Sequence, residues 1–363
     1  MRVKPSQLVP GCILIRDVIG KTGRPIVPRK AILTKQHIDF LDKFLINQVD
    51  VSDKLSNGKP FEPKKLERQK KIQKSDITSY PFEKHYQLVV EAFKKLFQKW
   101  QNNIPIEIPL VRKLIVPLIE RMEDIGSSIY QLHRFTNKKD YFYHHSVSVA
   151  ILAAYIGKKL GYEKGEWIQI GLAGFLSDAG MSKLGNIIFK EEELSTAEFQ
   201  EIKKHPTYSY RMVEHNSLVT THVKLAVLQH HERLDGSGYP LGLTQGKIHP
   251  FAKIISICDM YHAMMSQRTY KESQSPFKVI ETLQNEQFSK LDPKVVQTFL
   301  QGITDFSIGT KVILSNGEAA EIVFMDSNQP TRPMVKLENS EIISLSNNKE
   351  LFIKDIVTKT KNG

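Results

Sequence analysis

From Pro81 to about Gly302 the apolar residues recur every three or four positions, and the segments they mark end in helix punctuation, so this stretch predicts a large all-α core. Both ends keep a different period. Residues 1 to about 56 alternate short apolar runs, CILIRDVI and RPIV, around Lys21-Thr22-Gly23-Arg24, then give a helical stretch TKQHIDFLDKFL and a strand-like QVDV. That pattern predicts a small α+β module. After Gly302 the runs GTKVILSNG, EAAEIVFMD, PMVKLE and EIISLS alternate over a few residues between Asn-Gly, Asp-Ser-Asn and Pro-rich turns, which predicts a compact β-barrel-like module. The expected order is an N-terminal α+β module at 1–56, a basic linker and helix at 57–104, the all-α domain at 105–302 and a β-rich module at 303–363.

Composition narrows the picture without changing it. A chain of 363 residues exceeds what one core usually supports, and 40% hydrophobic with 25% charged residues describes a globular protein rather than a disordered or fibrous one. No apolar run approaches the roughly 18 residues that a spanning helix needs, and MRVKPSQLVP has no apolar signal core, so a cytoplasmic location is expected. Cys12 and Cys258 are too few and too scattered for a disulfide framework or a thiolate metal site. The net charge of +12 raises a nucleic-acid partner, yet half of the excess sits between Lys54 and Lys74, where eight basic residues face only Glu62 and Glu67. A solvated connector is the favoured reading there, and nucleic acid is not an expected partner.

Candidate chemistry is spread over several helices. In YHHSVSVAILAAYIGKKL, His145 lies in line with Val149, Leu152, Ile156 and Leu160, while His144 is about 100° round; alone, His145 is a core histidine as readily as a ligand. GEWIQIGLAGFLSDAG, read as one helix, puts Gly171, Gly174 and Asp178 on one face, and HPFAKIISICDMYHAMMS aligns Asp259 with Ala252, Ile255 and Ala263. A carboxylate in such a row needs a cation, supplied by Arg, Lys or a metal. A third helix opens on the capping box Ser195-Thr196-Ala197-Glu198 and is expected to end at His205, before Pro206. A fourth, THVKLAVLQHH, ends on His230 and His231, where a turning chain lets both rings converge on one centre. Histidines and carboxylates on the inner faces or ends of different helices form an N/O ligand set suited to Fe, Mn or Zn, and a carboxylate between two ions can bridge them for in-line attack on phosphorus.

The order His145, Asp178, His205, His230-His231, Asp-Gly-Ser-Gly-Tyr-Pro, Asp259 resembles the HD-GYP family of metal-dependent phosphodiesterases that hydrolyse cyclic di-GMP. The resemblance covers roughly residues 105 to 302 and is strongest from KKHP through HHERLDGSGYP to AKIISICDMYHAMMSQRTYK. It implies an HD-type helical core, two divalent ions with Fe or Mn favoured over Zn, and metal ligands at His145, Asp178, His205, His230, His231 and Asp259, with Asp178 bridging and catalytic. It also implies a substrate site at Asp235, Tyr239, Arg268 and Lys271, with cyclic di-GMP as the partner. The chain departs from the family's His-Asp-x-Gly-Lys signature: it reads Ser177-Asp178-Ala179-Gly180-Met181, lacking one imidazole and one cation. A protonated serine hydroxyl is a poor ligand, so the centre fed by His145, Asp178 and Asp259 is expected to hold its ion more weakly. Lys183 is the nearest replacement cation, though on a continuing helix it would point elsewhere. Tyr141, one turn before His145, offers no carboxylate for a third ion, and His262 stands where the family usually has a second aspartate. The resemblance therefore leaves two readings: a phosphodiesterase, weakened or not, and an inactive module that binds the dinucleotide or docks a signalling protein.

Overall fold

In the computed structural model the described residues are 1–3, 5–19, 25–43, 48–63, 80–190, 192–267, 274–303, 308–326, 329 and 331–357. Most of the basic linker falls outside them, as do Arg268 and Lys271. The chain divides into two units, Met1–Ser79 and Tyr80–Gly363. In the first, β1 (Arg2–Val3) pairs antiparallel with β4 (Val49–Asp50) and β2 (Val18–Ile19) with β3 (Pro25–Val27), beside helix α1 (Lys35–Lys43). Its core gathers Val3, Cys12, Leu14, Val27 and Val51 from the short alternating runs, with Leu41 from α1.

The second unit is built on helices. Along α2 (Phe82–Gln101) the buried Phe82, Tyr86, Val89, Phe93, Phe97 and Trp100 repeat at three and four, which lays one apolar stripe against the core. Helix α3 (Ile108–Ile119) follows, then α4 (Tyr141–Lys159), which is buried from Phe142 to Gly157 and so runs through the interior. Helix α5 (Lys164–Leu176) packs along α4 at backbone distance. A Cβ on Gly171 would come within 2.9 Å of the Ala150 carbonyl oxygen, and one on Gly174 within 3.2 Å of that of Val149. The remaining helices are α6 (Thr196–Ile202), α7 (His205–Val213), α8 (Thr221–Gln229), α9 (Pro250–Met265), α10 (Pro276–Glu286) and α11 (Pro293–Ile303). Among the described residues no helix is long and apolar enough to cross a membrane.

Three expectations need correction. The helix carrying Gly171 and Gly174 stops at Leu176; Ser177 caps it, and Asp178 lies in the break before the 3₁₀ segment Ala179–Lys183. The capping box at Ser195 and Glu198 forms as anticipated, but its helix ends at Ile202, and His205 opens the next one instead of closing this one. Pro206 lies in the first turn of α7, where a missing N–H costs nothing. At the C-terminal end, β5 (Lys311–Leu314), β6 (Ala319–Phe324), β7 (Met334–Leu337), β8 (Ile342–Ser344) and β9 (Ile353–Ile356) form an antiparallel sheet in the order β8-β7-β6-β5-β9. It is open, not a barrel. One edge strand, β8, is only three residues long, and the outer edge of β9 is taken by a helix start: Ser275 Oγ donates to the Ile353 carbonyl at 2.6 Å.

Candidate metal centre

Six side chains meet from five segments. His145 projects from α4, Asp178 from the break after α5, His205 from the first position of α7, His230 and His231 from the end of α8, and Asp259 from α9. They form two groups that share Asp178: Asp178, His205, His230 and His231 in one, His145, Asp178 and Asp259 in the other, with the ligand atoms of each group within 4.8 Å of one another. The shared carboxylate divides between them. Its Oδ1 lies 3.1 Å from His205 Nε2 and 3.7 Å from His230 Nε2, and its Oδ2 lies 3.6 Å from His145 Nε2. Asp259 spans them on the other side, with Oδ1 2.8 Å from His145 Nε2 and Oδ2 3.8 Å from His231 Nδ1.

The break at Asp178 is held from both sides. Ser209 Oγ, on α7, donates to the Ser177 carbonyl at 2.6 Å and accepts from the Gly180 N–H at 2.7 Å. Gly180 is needed for this approach, since a Cβ there would lie 2.3 Å from the His205 carbonyl oxygen. One small staple thus places Asp178 against His205.

The histidine orientations identify what the larger group can hold. His205 Nδ1 donates to the Ile202 carbonyl at 2.7 Å, and His230 Nδ1 to the Val227 carbonyl at 2.8 Å. With the ring proton committed there, each neutral imidazole presents Nε2 as a lone pair. These two Nε2 atoms are 3.2 Å apart and both face Asp178 Oδ1. Electron pairs so arranged repel unless a cation lies among them, and the donor set fits a divalent ion with mixed imidazole and carboxylate ligation. Burial pushes the Asp178 carboxyl up, but contact with His205 and His230 outweighs it and holds the group well below the usual carboxylate range. Asp259 is likewise held low against burial, by His145 and then His231. His231 is pushed well below the ordinary imidazole value by burial and by neighbouring His230, so it stays unprotonated and able to ligate.

The loop that follows forms a wall. Glu232 is 3% exposed, and its two oxygens accept from the Leu241 N–H at 2.7 Å and the Leu243 N–H at 2.8 Å. Gly238 passes so close that a Cβ would meet the Arg233 nitrogen at 2.4 Å. Tyr239 is thereby stacked on His231, ring centroids 4.7 Å apart at 26°, and precedes a cis peptide bond to Pro240. Burial, then Asp259 and Asp178, push its phenol up and keep it protonated. Asp235 is exposed and accepts from the Ser237 N–H at 2.9 Å and the Ser237 hydroxyl at 2.6 Å, a turn-forming arrangement. Glu232 and Ser209 went unpredicted; the signal for Glu232 was an acid immediately before a glycine-punctuated loop full of backbone donors.

Residues 133–295 match the family model described as HD domain. The chain aligns with cyclic di-GMP phosphodiesterases of Pseudomonas aeruginosa, 31% identical over 58% of this chain and 51% of that protein, and of Thermotoga maritima, 33% identical over 57% and 58%. It also aligns with a 3'3'-cGAMP-specific phosphodiesterase of Vibrio cholerae, 31% identical over 45% and 38%. The helical core carries an HD domain similar to those of these phosphodiesterases. The chain spans about half the length of the first two relatives and less of the third.

Within this HD core the residues Ser177 and Met181 have visible consequences. Ser177 is buried and its hydroxyl turns back to donate to the Gly174 carbonyl at 2.8 Å, so it presents no ligand. Met181 packs against the hydrophobic core. Lys183 does not take over the lost cation, because its Nζ donates to the Trp100 carbonyl at 2.8 Å and to Asn103 Oδ1 at 2.9 Å. His262 stands behind His145, Nδ1 to Nδ1 at 3.0 Å, with Tyr141 Oη 3.2 Å from the same His145 nitrogen. These two side chains orient the back of His145, whose Nε2 faces the carboxylates.

Proposed function

We propose that this chain is a metal-dependent phosphodiesterase that hydrolyses cyclic di-GMP in bacterial second-messenger signalling in the cytoplasm. The observation that carries the reading is the Asp178 carboxylate, set between two ligand groups with the Nε2 lone pairs of His205 and His230 aimed at it. The relatives' substrates, cyclic di-GMP and 3'3'-cGAMP, support a cyclic dinucleotide. His205, His230, His231 and Asp178 would hold one ion, and His145, Asp178 and Asp259 a second, weaker one; iron or manganese suits this N/O set better than zinc. When bound, such ions stabilise charge on the phosphodiester and lower the pKa of water. The chain's own residues do the rest. Asp178 stays ionised between the two groups, Asp259 fixes His145 Nε2 and reaches toward His231, and Tyr239 walls the side next to His231. Arg268 and Lys271 meet the substrate's phosphates in this reading. The test is metal content together with cyclic di-GMP hydrolysis on protein purified with iron or manganese; no bound metal and no turnover under any loading would sink it.

A second reading, an inactive module that binds the dinucleotide or docks a signalling protein, is favoured by the inward turn of Ser177 and the packed Met181. The Ser177→His, Met181→Lys double variant separates the two. Hydrolysis gained only in the double variant supports the inactive module, and turnover by the wild type ends it.

A further inference from the structure

We propose that Phe199 and Lys203, on and just after α6, form a ledge beside the metal centre that takes the second half of a cyclic dinucleotide, a purine on the Phe199 ring and a phosphate at the Lys203 ammonium. The inference rests on the reading of the site as a cyclic-dinucleotide site and adds residues that reading does not use.

The two positions are four apart, so a single helical turn stacks them on one side. Lys203 Nζ lies 5.0 Å from the Phe199 ring centroid and 5.5 Å from that of Tyr239. Tyr239 in turn stacks on the metal-facing His231. A continuous row of ring, ring, cation and ring therefore runs outward from the metal group: His231, Tyr239, Lys203, Phe199. Held between two aromatic faces, the ammonium is fixed in place rather than free to swing into solvent.

Its charge is also uncommitted. The other lysines of this wall are engaged: Lys190 pairs with Glu198 at 2.9 Å, Lys204 with Glu201 at 2.6 Å, and Lys183 is bound near Trp100. Among the described residues Lys203 has no ion pair. Phe199, 47% exposed, leaves much of its ring open. A cyclic dinucleotide carries two phosphates and two purines. With one phosphate at the metal group, the other half needs a cation for its phosphate and a flat apolar face for a base, and the ledge offers both. Met181 removes the cation expected inside the site; of the described cations near Tyr239, Arg233 donates to the Glu232 carbonyl and the Ser256 hydroxyl, while Lys203 lies against the Phe199 and Tyr239 rings.

Calorimetric titration of the metal-loaded full chain with a phosphorothioate analogue of cyclic di-GMP that resists hydrolysis tests this. Loss of one charge-assisted contact in Lys203→Met is expected to raise the dissociation constant about tenfold and to flatten its dependence on salt. Phe199→Ser, which removes a stacking face, is expected to raise it by about fivefold or more. Lys203→Arg should stay within a few-fold of wild type, Lys204→Met should match it, and metal content should be the same in all. Wild-type affinity in both Lys203→Met and Phe199→Ser overturns the ledge while leaving the metal centre standing. Absence of any binding by metal-loaded wild type overturns the dinucleotide reading and the ledge with it.

Discussion

Glu232 shows how one side chain sets the shape of the site without facing it. Both of its oxygens are engaged by backbone N–H groups from the far side of the Gly-Tyr-Pro loop. Glu232→Gln keeps one acceptor and turns an amide NH₂ against the other N–H, so the variant is expected to lose about 2 kcal/mol of unfolding free energy, read by urea denaturation. An unchanged midpoint would show that the loop is held by something else. His144 makes a second residue-scale case. Asn137 Oδ1 accepts from the Asp140 N–H at 2.8 Å, which turns the Asn137 NH₂ toward His144 Nε2 at 3.3 Å. Nε2 is then the acceptor, and Nδ1 carries the proton toward the Tyr86 hydroxyl at 3.2 Å. Burial lowers the His144 pKa from 6.5 to about 4, with Asp140 opposing and Lys94 assisting. The unfolded chain therefore takes up this proton first: the stabilisation is complete above pH 6.5 and is lost as pH falls toward 4. On metal-free protein, unfolding free energy should drop by on the order of 2 kcal/mol from this group across that window, and His144→Gln should remove that part of the slope.

At the scale of elements, the site depends on the turn after α5 meeting the start of α7. Gly180→Ala would drive a Cβ into the His205 carbonyl, a backbone atom with no freedom to step aside. The expected result is a loss of about tenfold or more in metal affinity, measured by competition with a chelating dye, because Asp178 and His205 would no longer share one centre. Wild-type affinity in that variant would mean that the two elements can separate without cost to the site. The same junction marks where the sequence was readable and where it was not. Apolar spacing exposed the helices that carry His145 and Asp259, because period is a property of each helix alone. It hid the break at Leu176 and the new helix at His205, because Ser209 and Gly180 decide both through contacts 29 residues apart. The rotamer of Ser177 was equally invisible, since only the Gly174 carbonyl selects it. The C-terminal strands alternated legibly, but closure depends on what covers the edge, and Ser275 lies in another element.

For the whole molecule, the metal ligands are a set of long-range ties. His145 and Asp259 are 114 residues apart, and His205 and His230 are 25 apart, so the two groups join the start of α4 to α9 by way of α7 and α8. An ion bound only by the folded arrangement stabilises it by mass action, about 4 kcal/mol at a free concentration a thousandfold above its dissociation constant. For a helical core of this size that corresponds to a rise of roughly 10 °C in Tm. Adding manganese to metal-free protein should therefore raise the melting temperature with increasing ion concentration, and a chelator should reverse it. Removing one ligand from the larger group separates this effect from non-specific ion binding. His205→Ala deletes an Nε2 that faces both Asp178 and His230, and its melting temperature should respond little to manganese. If that variant shifts as far as wild type, the ion is bound elsewhere and the six converging side chains are not the metal centre.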